Sequence, residues 1–311
     1  MRTVFLGSPP FATPVLARLL ASEHRVLALV TRPDRPRGRG RSLEASPLVE
    51  LARAHEVEVL QPTDPHAPEV LARLRELAPD VLFVASYGVI LKPSLLELAP
   101  HGALNAHGSL LPRHRGAAPI QAAILAGDAE TGVSIQRIVE ELDAGDVLLE
   151  RRTPIHAHDT AGDLFERLAT LAGEAAVEAL DSLERGAARF TPQEAARATY
   201  ARKLRKQHGR IDWTRPAPEL ERFVRAMTPW PGARTSAPDG RELTLLAVRA
   251  LEPDGLAGAV HEAGPRLVVG CGAGSLEVLE LAPAGKRAMA AVDWLRGARL
   301  RAGERLGAGD A

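Results

Sequence analysis

The sequence contains little cysteine, no excess of either charge and no long apolar run. Its single cysteine, Cys271, excludes an internal disulfide and a cage of thiolate metal ligands, and it fits a reducing cytoplasm. Because 39 basic residues balance 39 acidic ones, any contact with nucleic acid must come from local clusters. No run approaches the ~20 apolar residues that span a membrane, and the apolar part of "MRTVFLGSPPFATP" is too short for a signal peptide. We therefore expect a cytoplasmic protein without a membrane segment.

Several common active-site motifs are also missing. The first turn after a strand, "GSPPFATP", has one glycine, whereas a dinucleotide-binding turn needs three in G-x-G-x-x-G. The sequence has no G-x-x-x-x-G-K-[ST] phosphate loop, no H-E-x-x-H pair and no G-x-S-x-G elbow. These absences disfavour a dehydrogenase, an NTPase, a zinc protease and a serine hydrolase.

The first third of the chain alternates short apolar runs with helical patterns, and Ser46 before Pro47 predicts a capped helix start. Continuous apolar strands between helices are typical of a parallel sheet that is covered on both faces. We therefore predict an α/β fold with a Rossmann-like, mostly parallel sheet and helices on both faces. The predicted strands are "RTVFLGS", "HRVLALVTR", "VEVLQP", "DVLFVASY" and "GALNAHGS", followed by two strands around the turn "EELDAGD" and a long helix near 161–184.

The pattern changes after Phe190. The stretch "TPQEAARATYARKLRKQHGR" has no strong apolar periodicity, which predicts a linker, and a helix closed by two prolines follows it. Short strands separated by Gly, Pro and Asp then favour a small OB-like β-barrel. We predict a catalytic domain over residues 1–189, a basic linker over 190–208 and an OB-like domain over 209–311.

Asn105 and His107 lie two residues apart at the end of a predicted strand, so their side chains face the same way. Ligands of parallel sheets bind beyond the carboxyl ends of the strands. An amide that donates to a developing oxyanion, beside an imidazole that moves a proton, suits acyl transfer. If Asp143 in the turn "LDAGD" reaches His107, it would orient the ring and favour imidazolium. From spacing alone, a hydrogen-bonded polar pair and an ordinary β-turn are the simpler interpretations.

Two basic clusters stand out, at Thr31–Arg41 and Arg197–Arg210. Each alone is typical of a solvated surface or a linker. The first cluster follows a predicted strand and should lie at the same end of the sheet as Asn105, and the second lies where two domains are predicted to join. Together they favour a surface that binds a phosphate backbone. The OB-like domain behind them makes RNA a candidate partner.

Several motifs, taken together, resemble the folate-dependent formyltransferases. They are "NAHGSLLPRHRGAAPIQ", "LDAGD", "RPDRPRGRGR", "RIDWTRPAPELERFVRAMTPWPGA" and "LAPAGKRAM". The first two are shared with formyltransferases that act on glycinamide ribonucleotide or on sugars, and with formyltetrahydrofolate hydrolases. The others narrow the resemblance, along nearly the whole chain, to the branch of the family that acts on methionyl initiator tRNA.

The resemblance implies an enzyme, a monomer that needs no metal. It would transfer a formyl group from 10-formyltetrahydrofolate to the α-amino group of methionyl initiator tRNA, which supplies translation initiation. It implies that Asn105, His107 and Asp143 are catalytic. The implied folate-binding residues are Ser86, Tyr87, Gly88, Val89, Ile90, Leu91, Ser109, Leu110, Leu111 and Pro112. The implied tRNA-binding residues are Arg35, Arg37, Arg39, Arg41, Lys203, Arg205 and Lys206, with Arg39 foremost.

Two alternatives remain open at the level of sequence. A formyltransferase acting on an amino-sugar nucleotide would not need the basic cluster at Thr31–Arg41 or the OB-like domain. The cluster is present and the domain is predicted here. A tRNA-binding protein without catalysis would tolerate the loss of Asn105, His107 or Asp143, and all three are present.

Overall fold

The computed structural model describes residues 1–34, 45–252 and 255–307, and the chain forms two compact units. The first unit comprises residues 1–119, 130–154 and 165–201, and the second comprises residues 120–129, 155–164 and 202–311. The predicted domain boundaries at 189 and 208 stay a prediction. Among the described residues, no helix has the length and apolar character needed to cross a membrane.

The described residues of the first unit form nine strands, two of which have only two residues. The strands are β1 (Arg2–Gly7), β2 (Arg25–Val30), β3 (Glu58–Leu60), β4 (Val81–Ala85), β5 (Ala103–His107), β6 (Arg115–Gly116), β7 (Glu130–Arg137), β8 (Val147–Pro154) and β9 (Tyr200–Ala201). The helices up to residue 184 are α1 (Ala12–Leu20), α2 (Pro47–Ala54), α3 (Pro68–Leu77), α4 (Pro93–Leu96), α5 (Pro119–Ala126) and α6 (Ala161–Glu184). A short 3-10 helix covers Ala195–Arg197.

Seven strands form the main sheet in the order β3-β2-β1-β4-β5-β7-β8. The first five are parallel, whereas β7 runs antiparallel to both β5 and β8. The prediction of a mostly parallel sheet is therefore confirmed. Strands β6 and β9 form a separate parallel pair of two residues each, and this pair was not predicted because two residues carry no periodicity.

Both faces of the parallel part of the sheet are buried. Along β1, Val4 and Leu6 point to one face, where they join a core that includes Leu74 of α3 and Leu95 of α4. Phe5 points to the other face and stacks on a phenylalanine of β4, with ring centroids 6.3 Å apart. Because neighbouring positions on one strand are all fully buried, the strand appears in the sequence as one continuous apolar run.

The start of α2 follows the predicted capping pattern. Ser46 is extended, its hydroxyl accepts a hydrogen bond from the backbone N–H of Val49 at 3.4 Å, and Pro47 is the first helical residue. The proline costs nothing there, since the first N–H groups of a helix have no partner within the helix.

The second unit is built around an antiparallel sheet in the order β10-β11-β14-β13-β12, with β15 paired to β14. Its strands are β10 (Ala233–Ser236), β11 (Glu242–Leu251), β12 (Val260–Ala263), β13 (Leu267–Gly270), β14 (Ser275–Pro283) and β15 (Met289–Ala290). Most of α5 and the start of α6 belong to this unit. Its described residues after 201 form helices α7 (Ala217–Met227) and α8 (Ala291–Ala298) and a 3-10 helix at Lys206–Gly209. The predicted strand segments correspond to β11 through β14. Helix α7 ends at Met227, just before Pro229 and Pro231, the two prolines that were expected to close it.

Candidate active site

Asn105 and His107 lie at the carboxyl end of β5, in the interior of the main sheet. Asn105 is opposite a residue of parallel β4 on one side, and on the other side it is opposite Gln136 of antiparallel β7. His107 is opposite Ser134 in the same ladder. Since directly opposite residues share a face of the sheet, Asn105, His107 and Gln136 point to one side.

The imidazole of His107 lies between two acceptors. The residue is 5% exposed, and its Nε2 lies 3.0 Å from the backbone oxygen of His114. Its Nδ1 lies 3.7 Å from Oδ2 of Asp143. Because a backbone oxygen can only accept, Nε2 is the donor of the first contact, and Nδ1 faces the carboxylate. The structure thus brings together His107 and Asp143, which are 36 positions apart in sequence.

Asp143 has a left-handed backbone conformation, with φ of 48°. Its Oδ2 accepts a hydrogen bond from the backbone N–H of Gly116 at 2.8 Å, and its Oδ1 accepts one from Nε2 of Gln136 at 3.0 Å. Both partners are donors, so both carboxylate oxygens act as acceptors here. The turn "LDAGD" therefore does more than reverse the chain: it presents a carboxylate to the imidazole.

The arrangement has the parts that acyl transfer requires. The half-buried amide of Asn105 can donate to an oxygen that becomes negative, and the adjacent imidazole can donate a second hydrogen bond or a proton. The Asp143 carboxylate faces the ring from 3.7 Å, on the side from which a carboxylate can orient an imidazole.

The basic run after β5 is largely buried rather than a surface turn. His114 has a φ of 59° and is 6% exposed, and Arg115 is 3% exposed. The guanidinium of Arg115 donates to Glu141 at 3.0 Å and to Oε1 of Gln193. Arg115 is therefore part of the framework around Asp143, since Gln193 also contacts the backbone oxygen of Asp143.

The two segments assigned to folate binding follow the adjacent parallel strands β4 and β5. In the first, Tyr87 and Leu91 are buried, whereas Ile90 is 83% exposed. Burial raises the pKa of Tyr87 to about 12, against a weaker opposing effect of the Arg32 guanidinium, so its hydroxyl is neutral near pH 7. The remaining residues of this segment are exposed or half-buried, namely Ser86, Gly88 and Val89.

The second segment is held by a serine of β7. The hydroxyl of Ser134 donates to the backbone oxygen of Ser109 at 2.8 Å and accepts from the backbone N–H of Leu111 at 3.0 Å. Ser109 and Leu111 are buried, and Leu110 and Pro112 are half-buried. The segment is thus fixed at the same edge of the sheet as His107.

The basic residues assigned to tRNA binding are only partly visible. Arg35, Arg37, Arg39 and Arg41 lie outside the described residues. Lys203, Arg205 and Lys206 lie in the second unit, and all three are exposed. Their exposure suits contacts with phosphate.

The sequence patterns did not point to Gln136 and Gln193, which contact Asp143, or to Arg115, which contacts Gln193. The one signal for Gln136 was its place on a strand beside the predicted turn. Gln193 lies in the segment predicted as a linker, 50 positions from Asp143. Amides at such separations leave no periodic pattern, so the sequence offered no signal for this contact.

We expect Gly116→Ala to destabilise the protein and lower turnover. Gly116 has a φ of 112°, and an added Cβ would lie 2.6 Å from the backbone oxygen of Ala201. Unusual backbone conformations of this kind cost about 1–3 kcal/mol each, and the displaced N–H would leave Asp143. Denaturant unfolding and kcat measure the two effects.

Gly102→Ala is the matched control for this substitution. Gly102 has a φ of 69°, and an added Cβ would contact nothing within 4 Å, so it tests positive φ without a clash. A Gly116→Ala variant that loses no more stability than this control and keeps full kcat would contradict the role assigned to Gly116.

Comparison with known proteins assigns both parts of the chain. Residues 1–180 match the family model described as formyl transferase, and residues 203–299 match the one described as formyl transferase, C-terminal domain. A methionyl-tRNA formyltransferase of Anaeromyxobacter dehalogenans is 49% identical over 305 residues, which cover 96% of this chain and 97% of that protein. These matches and the antiparallel sheet of the second unit confirm the predicted fold class, with its barrel-like C-terminal domain.

Two solved structures share the fold at low identity. HypX from Aquifex aeolicus, in complex with tetrahydrofolic acid, has a TM-score of 0.64 and 20% identity over 95% of this chain. This chain spans about half (47%) of the HypX chain. An N-formyltransferase from Helicobacter canadensis, in complex with folinic acid and dTDP-3-aminofucose, has a TM-score of 0.65 and 16% identity, covering 89% of this chain and 98% of that one.

Proposed function

The chain belongs to the methionyl-tRNA formyltransferases of the formyl transferase family, and we propose that Asn105, His107 and Asp143 carry its reaction. In that reaction a formyl group passes from 10-formyltetrahydrofolate to the α-amino group of methionyl initiator tRNA. The observation that supports this assignment is the approach of Asp143 to within 3.7 Å of His107 at the end of β5.

The amine of the acceptor needs little activation. An α-amino group has a pKa of about 7.7–8, so a useful fraction is neutral near pH 7. Its nitrogen attacks the formyl carbon directly and forms the new C–N bond, without a covalent enzyme intermediate. The amine nitrogen loses one proton to bulk water, from which His107 later regains the proton that it gives to N10. The formyl oxygen carries the negative charge of the tetrahedral intermediate.

Asn105 and His107 stabilise that intermediate. Both donate hydrogen bonds to the oxyanion, where preorganised donors contribute most to catalysis. His107 does so through Nε2, once Nε2 releases the backbone oxygen of His114. When the bond between the formyl carbon and N10 of the folate breaks, N10 takes a proton from His107, and the carbonyl re-forms. Asp143 holds the imidazole in the orientation for this transfer and stabilises its protonated form.

The substrates are assigned to separate surfaces. The residues named above, within 86–91 and 109–112, line the folate pocket at the carboxyl ends of β4 and β5. The tRNA is bound by Arg35, Arg37, Arg39 and Arg41 of the first basic cluster, together with exposed Lys203, Arg205 and Lys206. In this proposal residues 1–189 form the catalytic domain, residues 190–208 a basic linker and residues 209–311 the tRNA-binding domain. The protein acts as a monomer in the cytoplasm.

A transfer assay tests the proposed function. Purified protein with labelled 10-formyltetrahydrofolate is expected to formylate methionyl initiator tRNA and to leave an amino-sugar nucleotide unmodified. Absence of transfer to the methionyl-tRNA, or transfer to the sugar amine alone, would overturn it.

A further inference from the structure

Gln193 is brought to the site by a short backbone bridge. Thr191 and Val147 exchange two backbone hydrogen bonds, each of 2.9 Å, at the start of β8. The chain that follows α6 is thereby anchored beside the turn that carries Asp143. Gln193 itself is half-buried and points into this turn.

The orientation of the Gln193 amide is fixed by its partners. Nε and Nη2 of Arg115 donate to Oε1 of Gln193, at 3.1 and 2.9 Å. Nε2 of Gln193 lies 2.8 Å from the backbone oxygen of Asp143 and 2.7 Å from that of Gly145. Because a guanidinium only donates and a carbonyl only accepts, the amide cannot be reversed without losing every one of these contacts.

A second amide continues the network to the carboxylate. Nε2 of Gln193 lies 3.2 Å from Oε1 of Gln136, whose own Nε2 donates to Oδ1 of Asp143 at 3.0 Å. The hydrogen bonds therefore run in one direction, from the Arg115 cation through two amides to the Asp143 anion. Gln193 therefore hydrogen-bonds to the backbone of Asp143, which has a positive φ, and also to Gln136, which holds the Asp143 side chain.

We propose that Gln193 is a positioning residue for catalysis: with Arg115 and Gln136, it holds the Asp143 carboxylate in place to orient His107. The inference rests on the proposed function, since it concerns the same three catalytic side chains. Gln193 contacts no reacting atom, and it acts through Asp143.

Two substitutions test the inference. Gln193→Glu keeps an acceptor for Arg115 but removes the donor to Asp143, Gly145 and Gln136. Gln193→Met keeps a similar length without charge or hydrogen bonds. Both are expected to lower kcat by about 10–100-fold, the scale of a small misplacement of a catalytic group, and to leave KM for both substrates unchanged.

A second readout reports on the imidazole directly. The ¹⁵N and ¹H signals of the His107 ring, assigned with a His107→Ala sample, are expected to shift in both Gln193 variants. Glu194→Gln is the matched control, because Glu194 is exposed and its described ion pair is with Arg197; its kcat and imidazole signals should equal those of the wild type.

The outcomes separate the two proposals. Wild-type kcat or unchanged His107 signals in the Gln193 variants would overturn the positioning role, as would a loss that falls on KM alone. If the wild-type protein itself forms no formylmethionyl-tRNA, the proposed function fails, and the imidazole signals still decide whether Gln193 orients His107.

Discussion

Replacing His107 with alanine is expected to lower kcat by about 10²–10⁴-fold, the range that a positioned acid–base group contributes. The variant loses a donor to the oxyanion and the proton source for N10. Because the His107 side chain is buried and offers little surface to a tRNA, the affinity for tRNA should stay close to that of the wild type. Single-turnover formylation and a separate tRNA-binding titration measure the two quantities.

His101→Ala is a suitable control for this experiment. His101 is exposed and precedes the same strand, so its removal changes neither the oxyanion donors nor the carboxylate. A parallel loss of turnover and tRNA binding in His107→Ala, or a kcat equal to that of the control, would contradict the catalytic role.

Asp143→Asn is the second substitution with a large expected effect. The two carboxylate oxygens face the donors of Gly116 and Gln136, so an amide nitrogen at either position meets a donor. The ring of His107 also loses its anionic partner. Where a carboxylate orients a catalytic imidazole in serine proteases, the same change costs about 10⁴-fold in kcat; here we expect a loss of at least about 10²-fold.

Thermal unfolding distinguishes this chemical loss from a structural one. An unsatisfied buried polar group costs about 1–3 kcal/mol, so Asp143→Asn should remain folded at assay temperature. Glu140→Gln is the matched control, since Glu140 is exposed in the same turn. If Asp143→Asn formylates methionyl-tRNA as fast as this control does, the carboxylate has no part in catalysis.

The parts of the site with a local signal were predictable. Asn105 and His107 end a buried apolar strand, and the period of two places them on one face. The parallel strands were predictable for the same reason, because burial on both faces makes each one a continuous apolar run. The contact of Asp143 with His107 was only conditional, since a turn residue can point in many directions.

The residues that hold Asp143 in place were not predictable, because their contacts join parts of the chain that are far apart in sequence. Gln193 and Arg115 are 78 positions apart, and neither lies in an amphipathic pattern. The strands β6 and β9 pair over two residues each, too few to show any alternation. Only the tertiary structure shows that a segment without periodicity completes the surroundings of Asp143.

The position of Gln193 also bears on how the protein is made. A nascent chain that has left the ribosome as far as the end of α6 already contains all three proposed catalytic side chains. Gln193 is synthesised 50 residues after Asp143, and Thr191, which anchors it on β8, is equally late. If Gln193 positions Asp143 as proposed, the carboxylate beside His107 is held in place only after the long helix has been translated. A chain that terminates in this stretch would contain the three proposed catalytic groups without that support.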